Sequence, residues 1–138
     1  MAYLKAKRVA LVSALWLLAS LCAHAGSSGQ RLAPPEAVKC PRDHLTVYEG
    51  LVVAYRRMAT RTSLRIRTDA NTNEWVVIRH GRGESPARWF LVWSEPFGPD
   101  DWQSIEIRKG RLRPRTRANA WVCDDGSNPV IDWRPPRD

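Results

Sequence analysis

The chain has 138 residues, with 22 Lys and Arg against 14 Asp and Glu, and a net charge of +8 at neutral pH. That length accommodates one domain with a modest core. The positive balance favours weak attraction to polyanions without identifying one, and the few cysteines and histidines show no metal-ligand spacing, so no metal or other cofactor is expected.

Residues 1–25 carry the marks of a secretory signal peptide. Lys5, Lys7 and Arg8 precede an apolar run over residues 9–21, and Ala23-His24-Ala25 supplies a small-x-small cleavage site. A lipid-anchor reading of Cys22 is weaker, because bulky Leu21 stands where a small residue is wanted. Cleavage after Ala25 removes three bases and no acid, so 19 bases face 14 acids and the net charge falls to +5. The expected product is exported, periplasmic or secreted, without a membrane span. Cys40 and Cys123 then remain as a pair in an oxidising compartment and are expected to form a disulfide.

Residues 26–39 are Gly, Ser, Pro and polar side chains without periodicity, and read as a flexible leader to a single domain over residues 40–138. Strand chemistry begins near Leu45. Residues 46–56 are rich in Val, Tyr and Leu, with Gly50 where a strand would bulge or bend. In Leu64-Arg65-Ile66-Arg67 apolar and charged residues alternate one for one, which is the period of a half-buried strand. After the turn cluster at residues 69–73, Glu74-Trp75-Val76-Val77-Ile78-Arg79-His80 resumes β chemistry. With Leu64, Ile66, Val76 and Ile78 inward, Trp75, Val77 and Arg79 share the outer face with Arg65 and Arg67; a slip of one residue would reverse this.

Ser85-Pro86 predicts a helix N-terminus leading into residues 87–93, against which the strand propensity of Trp89-Phe90-Leu91-Val92-Trp93 competes. Pro99 with Asp100 and Asp101 predicts a second short helix that buries Trp102 and Ile105. Residues 118–123 and 129–133 return to strands across a turn at Asp124-Asp125-Gly126-Ser127-Asn128. Trp89, Trp93, Trp102 and Trp121 are assigned to the core, and Trp133 to a lid or an exposed anchor.

Three strands, a partly helical insertion and two more strands resemble the OB-fold, a five-stranded, partly open barrel. Leu112-Arg113-Pro114-Arg115-Thr116-Arg117-Ala118 is similar to the Leu-x-Pro-Gly-Thr-x-Val approach to the fourth strand of that fold, with Arg115 in the place of the glycine. The resemblance covers residues 45–133. It implies a mainly β fold, a small five-stranded OB-like barrel with a short helical insertion between strands 3 and 4. It also implies a binding face on strands 2 and 3, flanked by the loops after strands 1 and 4.

On that face Arg65, Arg67, Trp75 and Arg79 form the candidate site, with Arg56, Arg57 and Arg61 brought in by the first loop. Guanidinium groups attract phosphates or other anions, and an exposed indole can stack on a base or a sugar. The plainer alternative is that the arginines merely solubilise a wet sheet face around Trp75. The row Arg111, Arg113, Arg115 and Arg117 reads more simply as a solvated edge.

No serine or cysteine sits in a nucleophile motif, and no catalytic residue is assigned. The sequence thus points to a non-enzymatic exported binding module for a polyanion, either oligonucleotide or oligosaccharide, or for an acidic protein. A protein-binding envelope factor or inhibitor acting through Trp133 and the row Arg111, Arg113, Arg115 and Arg117 is one alternative. A small secreted metal-dependent hydrolase using Asp124, Asp125 or His80 is another.

Overall fold

Strict alternation around the 69–73 turn builds one side of the sheet. A computed structural model describes residues 32–137, so the signal-peptide reading of residues 1–25 and the first part of the leader lie outside the described residues. β1 (Leu45–Arg57), β2 (Arg61–Thr68) and β3 (Asn73–Arg79) form an antiparallel meander. Leu64, Ile66, Val76 and Ile78 are buried on its inner side, as the pattern requires.

β1 serves two partners. Its first half, Leu45 to Leu51, pairs with β8 (Arg117–Cys123), and its second half, from Gly50 onward, pairs with β2. Gly50 lies where the two ladders meet. A Cβ there would stand 2.1 Å from the Arg67 carbonyl oxygen, so no larger residue fits without separating the strands. The irregularity expected at Gly50 falls instead between Val52 and Ala54, where Val53 is the extra residue of a bulge. This bulge reverses the facing of β1. Before it odd-numbered residues point outward; after it Tyr55 and Arg57 turn inward and Arg56 turns outward.

Residues 85–96 resolve the competition between helix and strand by giving each a part. The Ser85 hydroxyl accepts from the Ala87 amide and caps one 3-10 turn, Pro86–Trp89. The β-rich Phe90-Leu91-Val92 then takes over as β4 (Phe90–Val92), which runs parallel to β9 (Val130–Arg134) and turns back into β5 (Glu95–Pro96). The two-residue β4–β5 turn holds Trp93 and Ser94 at φ of 50° and 69°, left-handed values that disfavour side chains. Asp132, 2% exposed, holds that turn in place, accepting from the Ser94 amide at 2.8 Å and hydroxyl at 3.1 Å and from Arg134 at 2.7 Å.

Pro99–Asp101 forms another 3-10 turn and α1 (Trp102–Ile105) follows, with the Asp101 carboxylate accepting from the Gly98 amide at 2.6 Å. A small hairpin, β6 (Glu106–Arg108) with β7 (Arg111–Leu112), stands apart from the main sheet.

The main sheet therefore has seven strands in the order β3-β2-β1-β8-β9-β4-β5, mixed in direction, rather than five. The additional strands are two or three residues long, too short to leave a periodic signal. Hydrogen-bonded strands do not close into a barrel among the described residues. The sheet nevertheless curls, because Ile78 near one edge and Phe90 near the other belong to one core with Leu64, Ile66, Ile105, Ile131 and Trp133. Tyr55, Phe90 and Trp133 meet edge to face in it, and Phe97 and Trp102 pack against Phe90 in the same way.

Trp133 is completely buried, neither lid nor anchor, since β9 lies between β8 and β4 with both faces covered. Trp89, Trp93 and Trp102 are half-buried, whereas Trp121 is buried in a second cluster with Leu91 and Val130, covered by Val38 and Leu45. The Cys40–Cys123 disulfide pins this cover, with a Cα separation of 6.0 Å. By chain-entropy reasoning a closed loop of this length stabilises by about 4–5 kcal/mol. Among the described residues no helix is long and apolar enough to cross a membrane.

Candidate ligand-binding face

The outer side of β1–β3 is assembled row by row. Arg65 lies opposite Trp75 and beside Ala54; Arg67 lies opposite Asn73 and beside Leu51; Ser63 lies opposite Val77 and beside Arg56; Arg61 lies opposite Arg79. Five arginines, Arg56, Arg61, Arg65, Arg67 and Arg79, thus share one face with Trp75, whose side is 60% exposed. The Arg65 guanidinium leans over the Trp75 ring, 5.5 Å from its centroid. Among the described residues none of the five pairs with a carboxylate, although Arg57, Arg88, Arg117 and Arg134 do. Arg61 directly opposite Arg79 is a like-charge cross-strand pair, an arrangement that costs stability when nothing offsets it.

Arg57 does not belong to this face. The Val53 bulge turns it inward, where its guanidinium lies 3.7 Å from the Trp102 ring centroid and its Nη1 donates to Glu106 at 3.2 Å. Glu106 is buried and also accepts from the Tyr55 hydroxyl at 2.6 Å. Burial first, and then the hydrogen bond to Glu106, push the Tyr55 phenol far above its ordinary pKa. This Tyr55–Glu106–Arg57 group was not legible in the sequence, because 49 residues separate Arg57 from Glu106 and nothing local marks them as partners.

The turn between β8 and β9 borders the face. Its Asn128 side chain behaves as a peptide group would, accepting from the Arg79 amide at 2.8 Å and donating to the Arg79 carbonyl at 2.6 Å. The end of β3 is thereby fastened to the loop that precedes β9.

Of the acids considered for hydrolysis, Asp124 reaches His44 across the fold and Asp125 is engaged in its own turn. Asp124 meets His44 Nδ1 at 2.8 Å, and Asp125 accepts from the Ser127 amide at 2.9 Å. Hydrogen bonds from Ser127 hold the Asp125 carboxyl below the usual carboxylate range. His80 lies beside Thr62 at 3.3 Å, while Glu84 accepts from the Gly81 amide and is likewise lowered, by that bond first and then by Arg88.

No protein-family model, curated protein or solved structure matches the chain. The chemistry open to this face follows from its residues alone. Arg111, Arg113, Arg115 and Arg117 disperse rather than form a second site. Arg113 donates to the Gln103 carbonyl at 2.8 Å and Arg117 to the Asp69 carboxylate, a bond that raises the Arg117 pKa. Arg115 takes a left-handed φ of 60°. What remains is a strongly basic sheet face with one exposed indole; guanidinium groups of this kind attract anions, and an open indole can stack on a ring.

Proposed function

We propose that this protein is an exported, non-enzymatic binding module that engages an extended anionic ligand through the outer face of β1–β3. The observation that carries the reading is the face itself: Arg56, Arg61, Arg65, Arg67 and Arg79 around exposed Trp75, with Arg61 set against Arg79 at a cost in stability. Among the described residues Glu49 is the one acid that β1–β3 turn outward, against five arginines, whereas a surface that needed only solubility would interleave the two signs evenly. Export is supported by the signal-peptide pattern of residues 1–25 and by the Cys40–Cys123 disulfide.

The OB-like reading belongs with this proposal. It is supported by β1 shared between β2 and β8, by the partly helical insertion between β3 and β8, and by the left-handed Arg115 at the motif position that favours glycine. On this reading β1, β2, β3, β8 and β9 are the five principal strands, and Asn128 partly closes the gap beside β3. The arginine face then corresponds to the surface OB-folds use for oligonucleotides and oligosaccharides.

The test is binding of a heparin-derived oligosaccharide to the mature chain and to Arg65→Ala/Arg67→Ala. The proposal expects the double variant to bind much more weakly with its thermal midpoint nearly unchanged. Unaltered affinity in a folded double variant contradicts it.

A further inference from the structure

The basic face ends at a strand edge most of whose outward hydrogen-bonding groups have no partner among the described residues. The phase of the β2–β3 ladder is fixed at both ends, because the Thr68 amide donates to the Thr72 carbonyl at 2.8 Å and the His80 amide to the Thr60 carbonyl at 3.0 Å. In an antiparallel pair such residues alternate with residues whose main-chain groups point the other way. Residues 74, 76 and 78 therefore bond to β2, and residues 73, 75, 77 and 79 direct their N–H and C=O groups outward. Arg79 obeys the rule, since both of its groups meet Asn128. Among the described residues the amides and carbonyls of Asn73, Trp75 and Val77 have no such partner.

Edge strands are usually guarded by proline, a bulge, an inward charge or a covering element. β3 reads Asn-Glu-Trp-Val-Val-Ile-Arg, without proline, and pairs with β2 without a register shift; its one inward charge, Glu74, sits opposite Ile66 near the turn and leaves the stretch from Trp75 to Val77 without such a guard. Among the described residues its outward groups are fastened at one point, by Asn128 at the Arg79 end.

We propose that the free edge of β3 takes an extended acidic peptide segment by strand addition. The inference deepens the reading of the arginine face and rests on it. Main-chain bonds to Asn73, Trp75 and Val77 would supply register and affinity, and side chains on the outer side of the added strand would lie beside Trp75 and Arg79. Arg65, already leaning over the Trp75 ring, carries positive charge toward that strand. Acidic side chains at alternate positions satisfy it. Charge also decides against a second copy of this chain as the occupant. A two-fold pairing of β3 with β3 would join two five-arginine faces into one continuous basic surface, and like charges so placed repel.

The probe is the acetylated and amidated octapeptide of alternating Glu and Val, titrated against the full mature chain, with amide hydrogen exchange followed by NMR. Binding should slow exchange at Trp75 and Val77, while Val76 and Ile78 are already protected by β2. Methylating every peptide nitrogen keeps the charge and removes the donors, and should weaken binding by about tenfold or more. Val77→Pro removes an outward amide without touching the ladder to β2, a substitution an edge strand accommodates, and should act similarly. If the octapeptide fails to bind, or binds equally well when methylated with no new protection at Trp75 and Val77, strand addition is overturned. Retained heparin binding in that case leaves the arginine-face reading standing, and loss of both ligands removes both.

Discussion

Glu106 offers a sharp test of how the core end of the domain is held. Its side chain is 5% exposed and that of Arg57 18%, and the two are 3.2 Å apart, with the Tyr55 hydroxyl 2.6 Å from the other carboxylate oxygen. Glu106→Ala removes one acceptor from each partner and leaves the largely buried Arg57 charge without its counterion. Breaking a buried pair in this way costs about 3–5 kcal/mol, part of which is the unsatisfied phenol. At about 4–8 °C per kcal/mol for a domain near this size, thermal unfolding should fall by roughly 12 °C or more. Glu106→Gln retains an acceptor for Tyr55 but not the charge, so it should fall between wild type and Glu106→Ala. The assay is thermal and urea unfolding under non-reducing conditions, with the Glu106→Ala, Arg57→Ala and double variants forming a cycle. A loss below about 1 kcal/mol for Glu106→Ala, or no coupling with Arg57, refutes this account of the group.

The same group sets an alkaline limit. Folded Tyr55 keeps its proton above the ordinary range, whereas the unfolded chain loses it near pH 10. Its contribution is therefore fully present below about pH 10 and declines above it, by about 1.4 kcal/mol per pH unit; Tyr55→Phe should flatten that decline in urea melts, and an unchanged slope contradicts it. Gly50→Ala drives a Cβ into the Arg67 carbonyl and should destabilise by at least about 3 kcal/mol, the upper end of overpacking costs, while a near-neutral effect in the same melts contradicts the crowding at the ladder junction. Asn128→Ala deletes both bonds to Arg79 and should cost about 1–2 kcal/mol and speed amide exchange at Arg79, whereas unchanged exchange there denies the fastening.

What the sequence disclosed depended on whether neighbouring residues differ strongly in polarity. Leu64, Ile66, Val76 and Ile78 were legible because charged or exposed residues alternate with them on one wet face, and that face carries Arg65, Arg67, Trp75 and Arg79. β1 was not legible in the same way. Leu51-Val52-Val53-Ala54 is apolar throughout, so nothing marks the extra residue, yet that residue decides that Arg56 joins the face and Arg57 leaves it. Trp133 sits just before Arg134-Pro135-Pro136-Arg137, a chain-end composition that suggests exposure; a strand flanked on both sides by others overrides it. The β4–β5 hairpin carries Trp93 and Ser94 where glycine or asparagine is usual, and its support, Asp132, is 38 residues from Ser94 in sequence. Such long-range compensation leaves no local trace.

If the five arginines act together on one charged ligand, as proposed, the salt dependence of binding to a single-stranded dodecathymidylate reports it. Neutralising phosphates on a single strand gives a slope of log K against log salt of about −0.7 per contact, hence roughly −3.5 for five arginines and roughly −2 for Arg65→Ala/Arg67→Ala. A slope that becomes shallower by that amount in the folded double variant is the predicted result; equal slopes in the two proteins, or binding indifferent to salt, contradict the account.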